Sequence, residues 1–152
     1  MPDLYPMARY AGTRNAHASF EELERLLLER FAARAARLGL ADPVRKRFRI
    51  HCLKHDLEVL LLAAPDQLRA RLRTDEALRN AWRQPVENQN DNHPPKRVID
   101  DLFRRYRRKP GYVDTTDAPW ILARADLGAV RAACPQHFSP FVTDLEVAVA
   151  GG

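Results

Sequence analysis

With 152 residues, 45% of them apolar and 30% charged, the chain can form one hydrophobic core under a solvated surface, and it contains no run near the roughly 20 apolar residues of a membrane span. A net charge of +5 and a pI of about 9.6, carried mostly by arginine, attract phosphates non-specifically, and are also what a GC-rich genome gives almost any cytosolic protein. Two distant cysteines, Cys52 and Cys134, argue against a disulfide framework, and "MPDLYPMARY" lacks the order of a secretory signal, so a cytoplasmic protein with free thiols is expected.

Residues 1–18 carry prolines and no sustained period and read as a lead-in. "SFEELERLLLERFAARAARLG", 19–39, predicts a helix capped by Ser19, with Glu22 completing a capping box and Gly39 ending it. "RKRFRIHCL", 45–53, alternates as a half-buried strand, with Phe48, Ile50 and Cys52 on one side and Arg47, Arg49 and His51 on the other. It leads into a helix starting near His55 or Asp56 whose leucine run contains one acid, Glu58. "PDQLRARLR" from Pro65 and the stretch Asp75 to Trp82 predict two more short helices. Residues 84–97 have no apolar period and read as a polar loop. "PPKRVIDDLFRRYRR" predicts a helix opened by Pro95, with Val98, Ile99, Leu102, Phe103 and Tyr106 inward. "YVDTTDAPWILARADLGAVRAACP" gives two short helices, the second from about Asp126 to Cys134, and "SPFVTDLEVAVA" a terminal one. The expected fold class is α/β, mostly helical, with a small sheet that one strand cannot complete. A single domain spanning 1–152 accommodates these elements.

Four constellations bear on chemistry. His55, Asp56 and Glu58 lie at a strand-to-helix junction. Asp56 suits a helix start, while Glu58 sits in a helix that is apolar nearly all round. A buried carboxylate needs a partner, so Glu58 is either a structural ion pair or cap, or a functional acid. Cys52-x-x-His55 and Cys134-x-x-His137 have the spacing of a Cys2His2 zinc site, and each thiol also reads as simply buried. Arg97, Arg104, Arg105, Arg107, Arg108 and Lys109 lie on and after the helix opened by Pro95, with Lys96 beside them, either as a phosphate-binding surface or as a solvated face with Asp100 and Asp101 pairing to Arg104 and Arg105 at i,i+4. "ENQNDNH", 87–93, is a polar loop, a ligand loop or a cap for the next helix, without the spacing or glycine of an EF-hand.

Three pieces, "LKHDLEVLLLAAPDQL", "PVENQNDNHPPKRVIDDLF" and "GYVDTTDAPWILARADLGAVRAACPQHFSPFVTDLE", occur in an order that resembles a bacterial family, domain of unknown function 4276, from about Arg47 to Val147. The matching positions are His55, Asp56, Leu57 and Glu58 in the first piece, Asn90, Asp91, Lys96 and Arg97 in the second, and Cys134, Pro135, His137 and Phe138 in the third. That family is similar to Toprim domains, the metal-binding α/β unit of topoisomerases, primases and overcoming-lysogenization-defect nucleases, and its members lie beside AAA or ABC-type ATPases in phage-defence systems. The resemblance implies a Toprim-like sheet, a Mg2+- or Mn2+-dependent nuclease chemistry, an ATPase partner and a DNA or RNA substrate. It implies Glu58 and Asp3 as metal-binding acids; the nuclease expectation adds His55 beside Glu58 as catalytic and Asp56 as a further metal ligand, and the basic residues Lys96, Arg97, Arg104 and Arg105 are the expected nucleic-acid contacts. The chain departs from the pattern by lacking the family's first strands and first Glu, with helix 19–39 where the family has a variable insert. It therefore resembles the C-terminal part, 45–152, of such a protein, incomplete in catalysis unless another chain supplies the missing acids. The alternative is a non-catalytic basic adaptor that binds nucleic acid or a protein partner.

Overall fold

The computed structural model describes residues 20–40, 47–53, 55–78, 82–89, 92–107 and 110–151. The chain divides into two compact units, Met1–Lys54 and His55–Gly152.

In the first unit, α1 (Phe20–Arg37) opens with Glu21 and Glu22 and closes with Arg34 and Arg37, so its charges complement the helix dipole at both ends. Leu23 and Ala35 are buried. The helix stops at Gly39 (φ 63°), where Leu40 N–H bonds back to the Ala35 carbonyl at 3.0 Å and Gly39 N–H to Ala36 at 3.2 Å. This closing motif requires a left-handed residue, and glycine adopts it without a Cβ penalty. The Ser19 cap lies outside the described residues. Phe31 stacks on Phe48 with ring centroids 3.8 Å apart.

The strand expected over 45–53 does not form within its described part, 47–53; bridge pairing among the described residues is confined to isolated positions such as Leu53 and His93. The alternation does survive in part as burial: Ile50 and Cys52 are buried, Arg47 and Arg49 exposed, His51 half-buried, while Phe48 is exposed on the face stacked against Phe31. A period of two fixes which side chains face inward, but a strand also needs a paired neighbour.

The second unit is built around α2 (Glu58–Leu62), five residues that are all buried. So short a helix is not stable alone. It is held by packing against α3 (Pro65–Leu72), α4 (Pro95–Arg107), α5 (Asp114–Leu122) and the single 3-10 turn Val86–Asn88. Pro65 opens α3, and the residue before it, Ala64, takes a non-helical conformation (φ −118°, ψ 61°) that separates the two helices. Leu61, Leu62, Leu68, Leu72, Ile99, Phe103 and Ile121 form the fully buried centre.

The helix expected from Asp75 to Trp82 is absent over its described residues 75–78. Arg73 ends α3 in the left-handed region (φ 57°), Thr74 Oγ1 accepts from Glu76 N–H at 3.2 Å, and of residues 75–78 only Leu78 is buried. The predicted helix from Pro95 forms as α4, with Val98, Ile99, Leu102 and Phe103 buried and Tyr106 half-buried. Its Cα directions advance by about 100° per residue, which puts those four on one half of the circumference and Lys96, Arg97, Arg104 and Arg105 on the other. The two helices expected after Tyr112 are α5 and α6 (Leu127–Ala133), the latter capped by Asp126, whose carboxylate accepts from Ala129 N–H at 2.7 Å. Helix α7 (Phe138–Ala150) packs on α6. The architecture of the described residues is thus mostly helical, as expected, without the small sheet.

Candidate functional site

Three carboxylates are buried in the second unit, and each has found a different kind of donor. Glu58, 6% exposed, opens α2 and accepts the Tyr112 hydroxyl at 3.1 Å on Oε1. Tyr112 stands in the link between α4 and α5, its ring edge-on to Phe103 at 5.2 Å. Burial, then the Glu58 charge and the hydrogen bond to it, raise the Tyr112 phenol well above its ordinary value, so it stays a neutral donor. Asp117 on α5 is buried and receives Arg71 of α3 at 2.6 Å, Arg107 of α4 at 3.3 Å and Val113 N–H at 2.7 Å. It ties three helices together. Glu87, in the 3-10 turn, accepts three backbone N–H groups, from Gln136 at 2.7 Å, His137 at 2.8 Å and Phe138 at 3.2 Å. These are the orphan donors at the start of α7, where no local side chain caps the helix.

Glu87 and Asp117 were not singled out in the sequence. Asp117 carries only the weak signal of an acid near a helix start. The targets of Glu87 are backbone groups 49, 50 and 51 positions away, which no local pattern reveals. The loop around Glu87 is closed by Gln89, whose side chain donates to the carbonyls of Arg83 at 2.9 Å and Val86 at 3.0 Å and accepts from Arg83 N–H at 3.1 Å. "ENQ" is therefore structural; Asn90 and Asp91 lie outside the described residues.

His55 is buried, and in the tautomer protonated at Nε2 it donates to the Gln89 carbonyl at 3.1 Å, tying the segment before α2 to this loop. Asp56 is half-buried, and its carbonyl accepts Val59 N–H at 3.1 Å. Asp3 lies outside the described residues. Among the described residues no group of three or more His, Cys, Asp or Glu side chains is arranged to hold a metal ion. Within the second unit Glu58 and Asp56 gain no third such ligand, and His55, Cys134 and His137 do not form a zinc-binding group. Cys134 is fully buried; burial and then the charge of Glu87 push its thiol up to about 12, so it is protonated and a poor ligand or nucleophile.

On α4, Arg104 pairs with Asp101 at 2.9 Å, at i,i+3 rather than i,i+4, and Arg105 reaches Glu76 at 3.2 Å rather than Asp101. Glu76 also accepts the Tyr106 hydroxyl. Lys96 and Arg97 differ: both are exposed in the first turn, which holds no acid, and neither side chain has a hydrogen bond or ion pair among the described residues. Positive charge at a helix N-terminus opposes the dipole, so an anion seated there would relieve both effects.

Fold and side chains together define a predominantly helical, arginine-bearing protein whose buried carboxylates are hydrogen-bonded and whose Lys96 and Arg97 stand exposed, without an ion pair among the described residues, at the start of one amphipathic helix. The family model described as "Domain of unknown function (DUF4276)" matches residues 1–146, and the chain belongs to that family. The match takes in residues 1–46, which lie outside the stretch that resembled the family by its motifs. No curated protein and no solved structure matches the chain. No helix among the described residues is long and apolar enough to cross a membrane.

Proposed function

We propose that this DUF4276 protein is a nuclease-related module of Toprim-like ancestry that binds DNA or RNA through the exposed face of α4. It acts in the cytoplasm beside an AAA or ABC-type ATPase of a phage-defence system and does not cut nucleic acid alone. The observation that carries the binding role is the Lys96–Arg97 pair, exposed and without an ion pair at the N-terminus of a 13-residue helix that has no acid in its first turn. Arg104 and Arg105 extend the same face, with Asp101 and Glu76 offsetting part of their charge. The ancestry, the ATPase partner and the defence role rest on the family resemblance. Fluorescence anisotropy with single-stranded and duplex oligonucleotides tests the binding. Affinity is expected to fall steeply between about 50 and 200 mM salt. Absence of binding at the lower salt sinks the proposal.

One observation favours a second reading, a Mg2+- or Mn2+-dependent endonuclease: Glu58 is a buried carboxylate opening α2, where the resemblance puts a metal-binding acid. The described residues do not complete a metal site, so this reading needs Asp3 or acids from another chain. Plasmid nicking with Mg2+ or Mn2+ separates the two. The binding-module reading predicts none from this chain alone, whereas cutting that disappears in Glu58→Gln would favour the enzyme.

A further inference from the structure

Trp120, near the end of α5, is half-buried, and two arginines meet its ring. The guanidinium carbon of Arg124 lies 4.2 Å from the ring centroid and that of Arg71 5.2 Å, both within cation–π range. Arg71 also shares the Oδ1 atom of Asp117 with Arg107, at 2.6 and 3.3 Å. Arg124 is exposed and pairs with no acid among the described residues; its Nη1 donates to the Trp120 carbonyl at 3.0 Å. Around Trp120 and Asp117, three guanidiniums are thus balanced by one paired carboxylate. Each guanidinium has five N–H donors, and each keeps some that no described residue accepts.

The surplus charge alone would attract any anion, and the ring narrows the choice. An aromatic face or a guanidinium plane is a stacking surface for a nucleobase, and cations beside it meet the phosphate of the same nucleotide. In a duplex each base face is covered by its neighbours, so only an unpaired base can reach the ring. Arg107 ends α4, about 16 Å along the helix from Lys96, so this cluster is separate from the cations at the start of that helix.

From this juxtaposition we propose that Trp120, with Arg124 and the Arg71–Arg107 pair, is a contact for an unpaired nucleotide: a base stacks on the Trp120–Arg124 pair, and its phosphate takes the remaining guanidinium N–H groups. The proposal rests on the nucleic-acid reading above and deepens it, adding a preference for single strands.

The test combines tryptophan fluorescence with anisotropy, using a short oligothymidylate and a blunt duplex at low salt. The oligothymidylate is expected to quench the parent chain saturably and the duplex to quench it far less. Trp120→Phe keeps a stacking ring, so it is expected to bind the single strand within about threefold of the parent while losing the quench, because the remaining Trp82 is buried. Trp120→Ala is expected to weaken single-strand binding about tenfold and to leave duplex binding unchanged. Arg124→Gln, at an exposed position, is expected to weaken single-strand binding in the same direction without a change in folding. Equal losses for single strand and duplex, or saturation of the parent without quenching, overturn the proposal. So does equal quenching by polyglutamate, which would mark a site for acidic peptides. Single-strand binding that weakens in Lys96→Ala with Arg97→Ala but in neither Trp120→Ala nor Arg124→Gln removes this inference alone, whereas a parent chain that binds no oligonucleotide removes the nucleic-acid reading with it.

Discussion

A carboxylate taken out of water is stable only where donors replace its hydration, and Glu58 obtains one from Tyr112. Tyr112→Phe leaves that oxygen facing an apolar ring, and urea unfolding is expected to show a loss of about 1–3 kcal/mol. Pairing Tyr112→Phe with Glu58→Gln should recover part of it, because the neutral amide costs less to bury. A neutral Tyr112→Phe would mean that Glu58 is held by something else, and would reopen its role as a ligand. Cys134 gives a second test at this scale. Its folded thiol ionises at about 12 against an ordinary value of 9.0, so between those values the folded chain holds a proton that the unfolded chain has lost. The stability from this group is complete below pH 9.0 and declines as pH rises towards 12. Tyr112 adds to the same decline at higher pH, its phenol being raised from an ordinary 10.0. Urea midpoints on either side of pH 9.0 should therefore fall less in Cys134→Ala than in the parent chain.

Helix ends and faces followed local rules where the rules are local. Helix α4 was legible because Val98, Ile99, Leu102 and Phe103 recur at helical spacing behind Pro95, and α1 because its charges and Gly39 mark both ends. The strand expected at 45–53 is absent over 47–53: Ile50 and Cys52 are buried in alternation with Arg49, yet alternation carries no information about a pairing partner. The helix expected from Asp75 does not form over 75–78, where the chain leaves α3 through a left-handed Arg73, a turn that sequence normally signals with glycine. That residue offers a clean substitution. Arg73→Gly removes the Cβ penalty while Thr74 N–H can still bond to the Arg69 carbonyl at 3.2 Å, and a rise in stability of about 1 kcal/mol is expected from thermal or urea unfolding. A loss of stability would mean that the Arg73 side chain contributes more than its backbone costs.

At the scale of the molecule, the candidate site was half legible. The burial of Glu58 followed from the leucines on every side of it, and the exposed cations of α4 followed from its period. Its phenol partner, 54 positions on, did not, nor did the separation of Lys96 and Arg97 from the paired Arg104 and Arg105. Both depend on which segments the fold brings together. Under the proposed binding role, that separation singles out Lys96 and Arg97 as the phosphate contacts to test. The direct measurement is the slope of log K against log salt for duplex binding by the parent chain, by Lys96→Ala with Arg97→Ala, and by Arg34→Ala with Arg37→Ala as a control of equal charge on α1. The α4 pair is expected to make the slope shallower by about 2, near one unit for each released contact, and the α1 pair to leave it unchanged. Equal slopes for all three proteins would contradict the assignment of binding to the start of α4.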